Sequence, residues 1–179
     1  MNKKLIITIF ALIILSALFI RVRASLPVAR VEGASLLWED FSKHRDGLAR
    51  FRDLNKESIS DSDIERGVIF SFIENTLIAQ ELERRGKRED DARRVIYENI
   101  DESEFEKIEA ATGQLYGWSI SDFEKFVIYP QARRTMLADE LDGERADFGA
   151  WLEKSMDEAK ISVYLWRWGW KNGELKERF

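Results

Sequence analysis

The chain of 179 residues contains no cysteine, a single histidine, His44, and only two prolines. The absence of cysteine excludes disulfide bonds and thiolate chemistry. With one histidine, which lies in the polar run SKHRD, we find no Ser/His/Asp or Cys/His catalytic set, and we predict a solvated surface side chain for it. A zinc site would need carboxylates almost alone, and no glycine-rich phosphate loop occurs. We therefore expect no catalysis, no metal and no cofactor.

Acidic residues form short clusters, for example Glu89 to Asp91 and Asp101 to Glu102. Such clusters are typical of helix starts and of solvated helix faces. A hydrolase that uses two converging carboxylates would be a third hypothesis for the function, but no pair of acidic residues is singled out by the sequence.

Basic residues are in the minority. Lysine and arginine number 28 against 33 aspartate and glutamate residues, so the formal net charge is −5. Without the four basic residues that flank the N-terminal apolar run described next, 24 basic and 33 acidic residues remain, a net of −9. Nucleic acid and anionic membrane surfaces attract positive charge, so we expect neither as the main partner.

One long uncharged run is present, from Leu5 to Ile20, with two lysines before it and two arginines after it. A helix over these residues, extended to Val22, approaches the roughly 30 Å thickness of a bilayer's hydrocarbon layer. We predict that residues 1–23 form an uncleaved membrane anchor, with residues 5–22 in the bilayer. The N-terminus would be cytoplasmic and the remaining domain extracytoplasmic, at the cell membrane.

The alternative for this segment is a cleaved signal peptide. Val22 and Ala24 are small residues at the positions that signal peptidase reads, so cleavage after Ala24 is the competing prediction. Arg21 and Arg23 place charge at the end of the run, where a membrane stop is the more natural interpretation.

The rest of the chain is dominated by apolar residues at helical spacing. Residues 24–34 are predicted to be a linker, and Ser35 to cap a helix that ends near Leu54. The strongest pattern predicts a central helix up to Arg85, starting at Asp61 or Ser62 after a capping box that begins at Ser60; its apolar residues cover more than half of its circumference. Further helices are predicted from the run KREDDARR to Asn99, from Ser103 to Leu115, from Ser119 to Leu141, and from Glu144 to Ala159.

Gly67 lies inside the predicted central helix. Glycine there costs about 1 kcal/mol relative to alanine, so we expect another backbone to approach closely at this position.

The C-terminal tail changes its pattern. Residues 160–170, KISVYLWRWGW, are rich in β-branched and aromatic side chains, and Asn172-Gly173 is the preferred pair for a two-residue hairpin turn. The predicted fold class is therefore all-α, with one N-terminal transmembrane helix, a multi-helix domain over residues 35–179, and a short C-terminal β-strand or hairpin.

The stretch YGWSISDFEKFVIYP, residues 116–130, combines helix-starting signals with a proline. Ser119 and Asp122 match a capping box, and Trp118 and Phe123 occupy the two positions of a hydrophobic staple. Pro130 would leave a carbonyl of the preceding turn without its partner, so we expect a kink in a long helix that wraps around a neighbour.

A family resemblance is visible in two segments. NTLIAQELERRG, Asn75 to Gly86, and YGWSISDFEKFVIYPQARRTML, Tyr116 to Leu137, are similar to the helical N-terminal domain of the SurA/PrsA chaperones. That family shows an N-x-L-I helix that ends at glycine, then a second helix that starts with glycine, an apolar residue and serine or threonine. The resemblance covers residues 60–141. It implies a SurA-N-like module that holds unfolded polypeptide outside the cytoplasm.

The chain departs from the family after Leu141. Family members usually carry prolyl isomerase domains of the parvulin type, which have a GG-x-L-G-x-F motif and active-site histidines, and neither feature is found here. We therefore expect no isomerase activity.

Aromatic residues concentrate in two places and supply the candidate polypeptide-binding residues. Core packing is the competing interpretation for all of them, and contact of the tryptophan tail with a membrane interface is a further one. In the tail we expect the tryptophans to alternate on one side of a strand. The candidates are Tyr116, Trp118, Phe126, Trp166, Trp168 and Trp170.

The function predicted from the sequence is a membrane-anchored, chaperone-like protein of bacterial type that binds unfolded or partly folded extracytoplasmic polypeptides without catalysis. The alternative is a membrane-anchored assembly protein whose helical domain binds one folded partner.

Overall fold

The computed structural model describes residues 24–88, 91, 94 and 102–178. The predicted anchor, residues 5–22, lies outside these ranges, and so does most of the helix predicted to end near Asn99. Within the described ranges, no helix combines the length and the apolar character needed to cross a membrane.

Two small antiparallel sheets accompany the helices. Strands β1 (Pro27–Val31), β2 (Ala34–Leu37) and β3 (Ile161–Val163) form one sheet in the order β2-β1-β3, and strands β4 (Trp168–Lys171) and β5 (Glu174–Glu177) form the other. The first sheet joins the two ends of the described chain, because Ala29 pairs with Val163.

The predicted fold class is wrong. All-α does not describe a molecule in which three residues of β1 belong to the buried core, namely Val28, Ala29 and Val31. An N-terminal transmembrane helix is not among the described helices.

The linker predicted for residues 24–34 is also wrong, because it contains β1. Ser35 lies in β2 rather than at a helix N-terminus. β1 and β2 form a hairpin around Glu32-Gly33, both with positive φ angles, and the glycine is the local turn signal that we missed.

The helices surround one long central helix. The bounds are α1 (Trp38–Asn55), α2 (Asp61–Arg84), α3 (Glu102–Leu115), α4 (Ile120–Phe123), α5 (Tyr129–Gly143) and α6 (Phe148–Glu158). As predicted, α2 is central: it packs against α1, α5, α6 and the first sheet, and Ile69 and Ile73 are fully buried. Its start is also confirmed, since the Ser60 hydroxyl accepts a hydrogen bond of 3.0 Å from the Asp63 N–H.

Two apolar clusters lie along α2. The larger one joins α2 to the first sheet, α1 and β4, and includes Phe41, Ile69 and Trp168. The smaller one joins the C-terminal half of α2 to α5, through Ile78 and Leu137. Burial of these side chains contributes about 1.5–3 kcal/mol each, so α2 fixes the other elements in place.

The helix predicted from Ser119 to Leu141 exists and contains a π-helical turn. Residues Glu124–Ile128 form this turn between α4 and α5, and the Tyr129 N–H donates to the Glu124 carbonyl, five residues earlier. Pro130 follows at once and has no N–H to continue the α-helical pattern. The chain therefore accommodates the proline by a local change of hydrogen-bond register.

The C-terminal hairpin is confirmed. β4 pairs with β5 around Asn172-Gly173, and both turn residues have positive φ angles, 54° and 71°. These angles match a type I′ turn, for which this residue pair is preferred.

Candidate functional site

A cleft of about 570 Å³ lies between α1, α2 and the helix that contains the π-turn. Its apolar floor comes from β2 and α2, through Leu36, Val68 and Phe72. The opposite wall comes from the π-turn and the start of α5, through Phe126 and Tyr129. The polar lining residues are Ser35, Asp40, His44, Ser71, Asn75, Ser121, Glu124, Lys125 and Arg133.

The aromatic wall of the cleft is part of a longer row of rings. His44 stacks on Phe126 with ring centroids 4.6 Å apart, and both rings meet Trp118 edge-on, at 5.5 and 5.3 Å. Trp118 in turn stacks on Tyr116, 4.6 Å away, and Tyr116 on Phe51, 5.0 Å away. Rings in such offset and edge-on contacts hold each other by about 0.5–1.5 kcal/mol per pair, so the wall has a defined shape.

Trp118 anchors this row to α1. Its indole is 4% exposed, and its N–H donates to the Lys43 carbonyl at 3.0 Å. The ring lies against Gly47, where a Cβ atom would collide with it. Trp118 is therefore a packing residue at the back of the wall. The capping box predicted beside it is present, with Ser119 and Asp122 exchanging hydrogen bonds of 3.1 and 3.2 Å.

His44 is not the solvated surface residue that we predicted. It is half-buried between Trp118 and Phe126 and lines the cleft. Burial disfavours the charged imidazolium and lowers the pKa of His44 to about 4. Among the described residues no hydrogen-bond partner of its ring is found. At neutral pH the ring is therefore uncharged and offers a donor and an acceptor beside the cleft.

Charged groups hold the cleft walls together. The Lys125 ammonium on the π-turn lies 2.6 Å from the Asp40 carboxylate on α1. The Arg133 guanidinium on α5 donates to the Asn75 side-chain oxygen on α2 at 3.2 Å. A third contact, 2.9 Å from the Lys43 ammonium to the Asp122 carboxylate, joins α1 to α4. Partly exposed pairs are individually weak, but these three fix the spacing of the walls.

The six candidate aromatic residues are distributed differently from our prediction. Phe126 lines the cleft, while Tyr116 and Trp118 lie behind it. Trp168 is 4% exposed and belongs to the main core. Trp170 packs against that core, and Trp166 is 69% exposed in the turn before β4, so the three tail tryptophans do not share one side of a strand.

Most residues of the cleft were missed from the sequence. Asp40, Ser71 and Asn75 look like ordinary polar positions of amphipathic helices. The available signal was the spacing of Phe126, Tyr129 and Arg133, which are three and four residues apart and therefore share one face of a helix.

Metal chemistry is not suggested by this arrangement. In the described parts of the chain, no group of three or more histidine, aspartate or glutamate residues is placed to hold a metal ion. The predicted acidic clusters are Glu89 to Asp91 and Asp101 to Glu102. Three of their five residues, Glu89, Asp90 and Asp101, lie outside those parts.

Comparisons with protein-family models, with curated proteins and with solved structures find no match to this chain.

Proposed function

We propose that this protein binds segments of unfolded or partly folded polypeptide in the cleft between α1, α2 and the π-turn, without catalysis. The observation that carries the proposal is the lining of the cleft. It combines an apolar floor, an aromatic wall and isolated polar groups in a volume that holds a few side chains.

The polar groups in the cleft suit a peptide backbone. The hydroxyls of Ser71 and Ser121 and the ring of His44 line it, and we find no hydrogen-bond partner for these side chains in the described residues. An extended peptide carries unpaired N–H and C=O groups along its length. Its backbone can pair with these groups while an apolar or aromatic side chain enters between Phe72 and Phe126.

The same lining gives little support for catalysis. His44 has no carboxylate or hydroxyl at hydrogen-bond distance among the described residues, so nothing there orients it as a general base. Its lowered pKa follows from burial between rings. The chemistry of the cleft therefore favours binding.

The π-turn supports a binding role for this cleft. A π-turn interrupts a helix at some cost in stability, and such turns are frequent at functional sites. Here the turn contributes Glu124, Lys125 and Phe126 to the wall. The resemblance of residues 60–141 to the helical domain of SurA/PrsA chaperones is an independent reason for proposing polypeptide as the ligand. The extracytoplasmic location of the domain remains a prediction of the sequence.

Suppression of aggregation tests the proposal. The full chain, at stoichiometric excess over an acidic client such as α-lactalbumin unfolded by reduction, is expected to reduce light scattering. Ser71→Tyr places a bulky ring in the cleft and should abolish most of this effect. Ala110→Tyr adds the same side chain on the exposed surface of α3 and is the matched control. An unchanged effect in Ser71→Tyr would contradict the assignment to the cleft.

The alternative function, binding of one folded partner, gives a different crosslinking pattern in cells. Photocrosslinking from position 121 is expected to yield many products of different mass if the cleft holds unfolded polypeptides. One dominant product would favour an assembly protein with a single partner.

A further inference from the structure

A second groove, of about 740 Å³, lies between α2, α6 and the turn of the β4–β5 hairpin. Its apolar lining consists of Phe70, Met156 and Leu175, and acidic side chains surround these residues. None of its lining residues belongs to the cleft described above.

Gly67 is the first unusual feature of this groove. Glycine in a helix interior lowers stability relative to alanine, so a role for it was expected. Apart from its two chain neighbours and the nearby backbone of α2 itself, no described atom lies within 4 Å of the Cβ position at Gly67, and the neighbouring Phe70 is 37% exposed. The close approach of a backbone, predicted from the sequence, is therefore not made by the described chain. The gap leaves room for the backbone of another molecule.

Charge is the second unusual feature. Four carboxylates line the groove, from Asp63, Glu153, Asp157 and Glu174, against one guanidinium, that of Arg66. Arg66 pairs with Asp63, at 3.2 Å, and Glu174 pairs with Lys176, at 2.8 Å.

Glu153 and Asp157 are the other two carboxylates of the groove. They lie four residues apart on one face of α6, where like charges destabilise a helix. No ion pair of either one is found in the described part of the chain. The groove therefore has a negative potential beside an exposed apolar surface, and its charge is complementary to a cation.

We propose that this groove binds a polypeptide segment in which lysine or arginine residues flank apolar side chains. The segment's backbone passes over Gly67, its apolar side chains contact Phe70 and Met156, and its cationic side chains pair with Glu153 and Asp157. This would be a second binding surface, selective for basic segments.

A titration with a defined peptide tests this proposal. The probe is a fluorescein-labelled peptide of about 14 lysine and leucine residues at helical spacing, and the readout is its fluorescence anisotropy with the full chain. Saturable binding that weakens with added salt is expected. An otherwise identical peptide with glutamate in place of lysine should not bind. The absence of saturable binding of the lysine peptide would overturn the proposal.

Matched variants separate the groove from general attraction between opposite charges. Glu153→Lys is expected to weaken binding at least about tenfold, whereas Glu109→Lys on α3, with the same change in net charge, should change it less than about twofold. Gly67→Trp fills the groove and should weaken binding by a similar factor, while its thermal unfolding midpoint stays at or above that of the wild type. Equal affinities of the two charge variants would show that the groove is not the binding site.

Ser71→Tyr, which blocks the cleft, should leave the affinity for the lysine peptide unchanged. A loss of affinity in this variant would assign the peptide to the cleft and overturn the proposal of a second surface.

Discussion

At the scale of single residues, His44 shows how the environment decides what a side chain can do. In the sequence it stands among lysine, arginine and aspartate. In the structure its ring stacks on Phe126 and meets the edge of Trp118, so the charged form would lose hydration without gaining a counter-ion. The sequence could not predict this, because both aromatic partners are more than seventy positions away in the chain.

The lowered pKa of His44 predicts a pH dependence of stability. The unfolded chain binds a proton at the ordinary histidine pKa, near 6.5, and the folded chain only near pH 4. Between these values the unfolded state binds more protons, so the free energy of unfolding decreases as the pH is lowered from about 6.5 to about 4, by up to roughly 3 kcal/mol in total. Urea unfolding at pH 7.0 and at about pH 4.5 measures this loss.

His44→Phe is the control for this measurement. It retains a ring against Phe126 and removes the titrating group, so the part of the pH-dependent loss that comes from His44 should disappear. Asp40 and Glu124, the carboxylates of the same cleft, are present in both proteins, so their contribution cancels in the comparison. An identical loss in the variant and the wild type would contradict the buried position of His44.

The Ser119 cap is a second prediction at this scale. Its hydroxyl accepts the Asp122 N–H at the start of α4 and is part of a confirmed capping box. Ser119→Ala should lower the free energy of unfolding by about 1 kcal/mol. Ser121→Ala, in the first turn of the same helix, should change it far less. Chemical denaturation of both variants measures the difference.

At the scale of secondary-structure elements, the indole ring of Trp118 is the buried contact between α1 and the segment that leads into the π-containing helix. Gly47 leaves the space on α1 in which Trp118 lies, and the Trp118 N–H donates to Lys43 on the same helix. This contact places the aromatic wall opposite α2. The width of the cleft therefore depends on a glycine that does not line it.

Two glycine-to-alanine variants in helices should have opposite effects on stability. Gly67→Ala removes an exposed helix glycine with open space around it and should stabilise the protein by about 0.5–1 kcal/mol. Gly47→Ala gains the same helix propensity, but its Cβ would collide with the Trp118 ring. The variant should therefore destabilise the protein by roughly 2 kcal/mol. Thermal unfolding of the two variants is the test. Stabilisation by Gly47→Ala would contradict the packing of Trp118 on α1.

Local signals in the sequence predicted several elements correctly. The Ser60 cap and the apolar belt of α2, the capping box at Ser119, and the hairpin at Asn172-Gly173 depend on neighbouring residues, and all are present. The π-turn before Pro130 was expected only as a kink, because the sequence shows that a hydrogen bond is lost and not how the backbone compensates.

Long-range pairing could not be predicted in the same way. The pairing of β1 with β3 joins residues more than a hundred positions apart, and β3, with three residues, has almost no sequence pattern of its own. Trp168 and Trp166 differ by two positions and look alike in the sequence. The packing of β4 on the core buries the first and leaves the second exposed.

At the scale of the whole molecule, the described chain is organised around α2. This helix contacts the first sheet, α1, α5 and α6. It also contributes residues to both the cleft and the groove described above. The cleft beside the π-turn is aromatic. Lys125 forms an ion pair with Asp40 there, and Arg133 donates a hydrogen bond to Asn75. The groove beside the hairpin is acidic, and two of its carboxylates have no ion-pair partner among the residues that the structure describes. Under the two proposals, the cleft would bind the apolar side chains of a polypeptide and the groove its basic ones.

The most direct test of the central claim is the dissociation constant of an unfolded polypeptide for the full chain and for Ser71→Tyr. Reduced, carboxymethylated α-lactalbumin stays unfolded in buffer and carries no added positive charge, so it reports on the apolar cleft. The account predicts saturable binding to the wild type, at least about tenfold weaker binding to Ser71→Tyr, and binding within about twofold of the wild type for Ala110→Tyr. Equal dissociation constants for the wild type and Ser71→Tyr, or no binding at all, would contradict it.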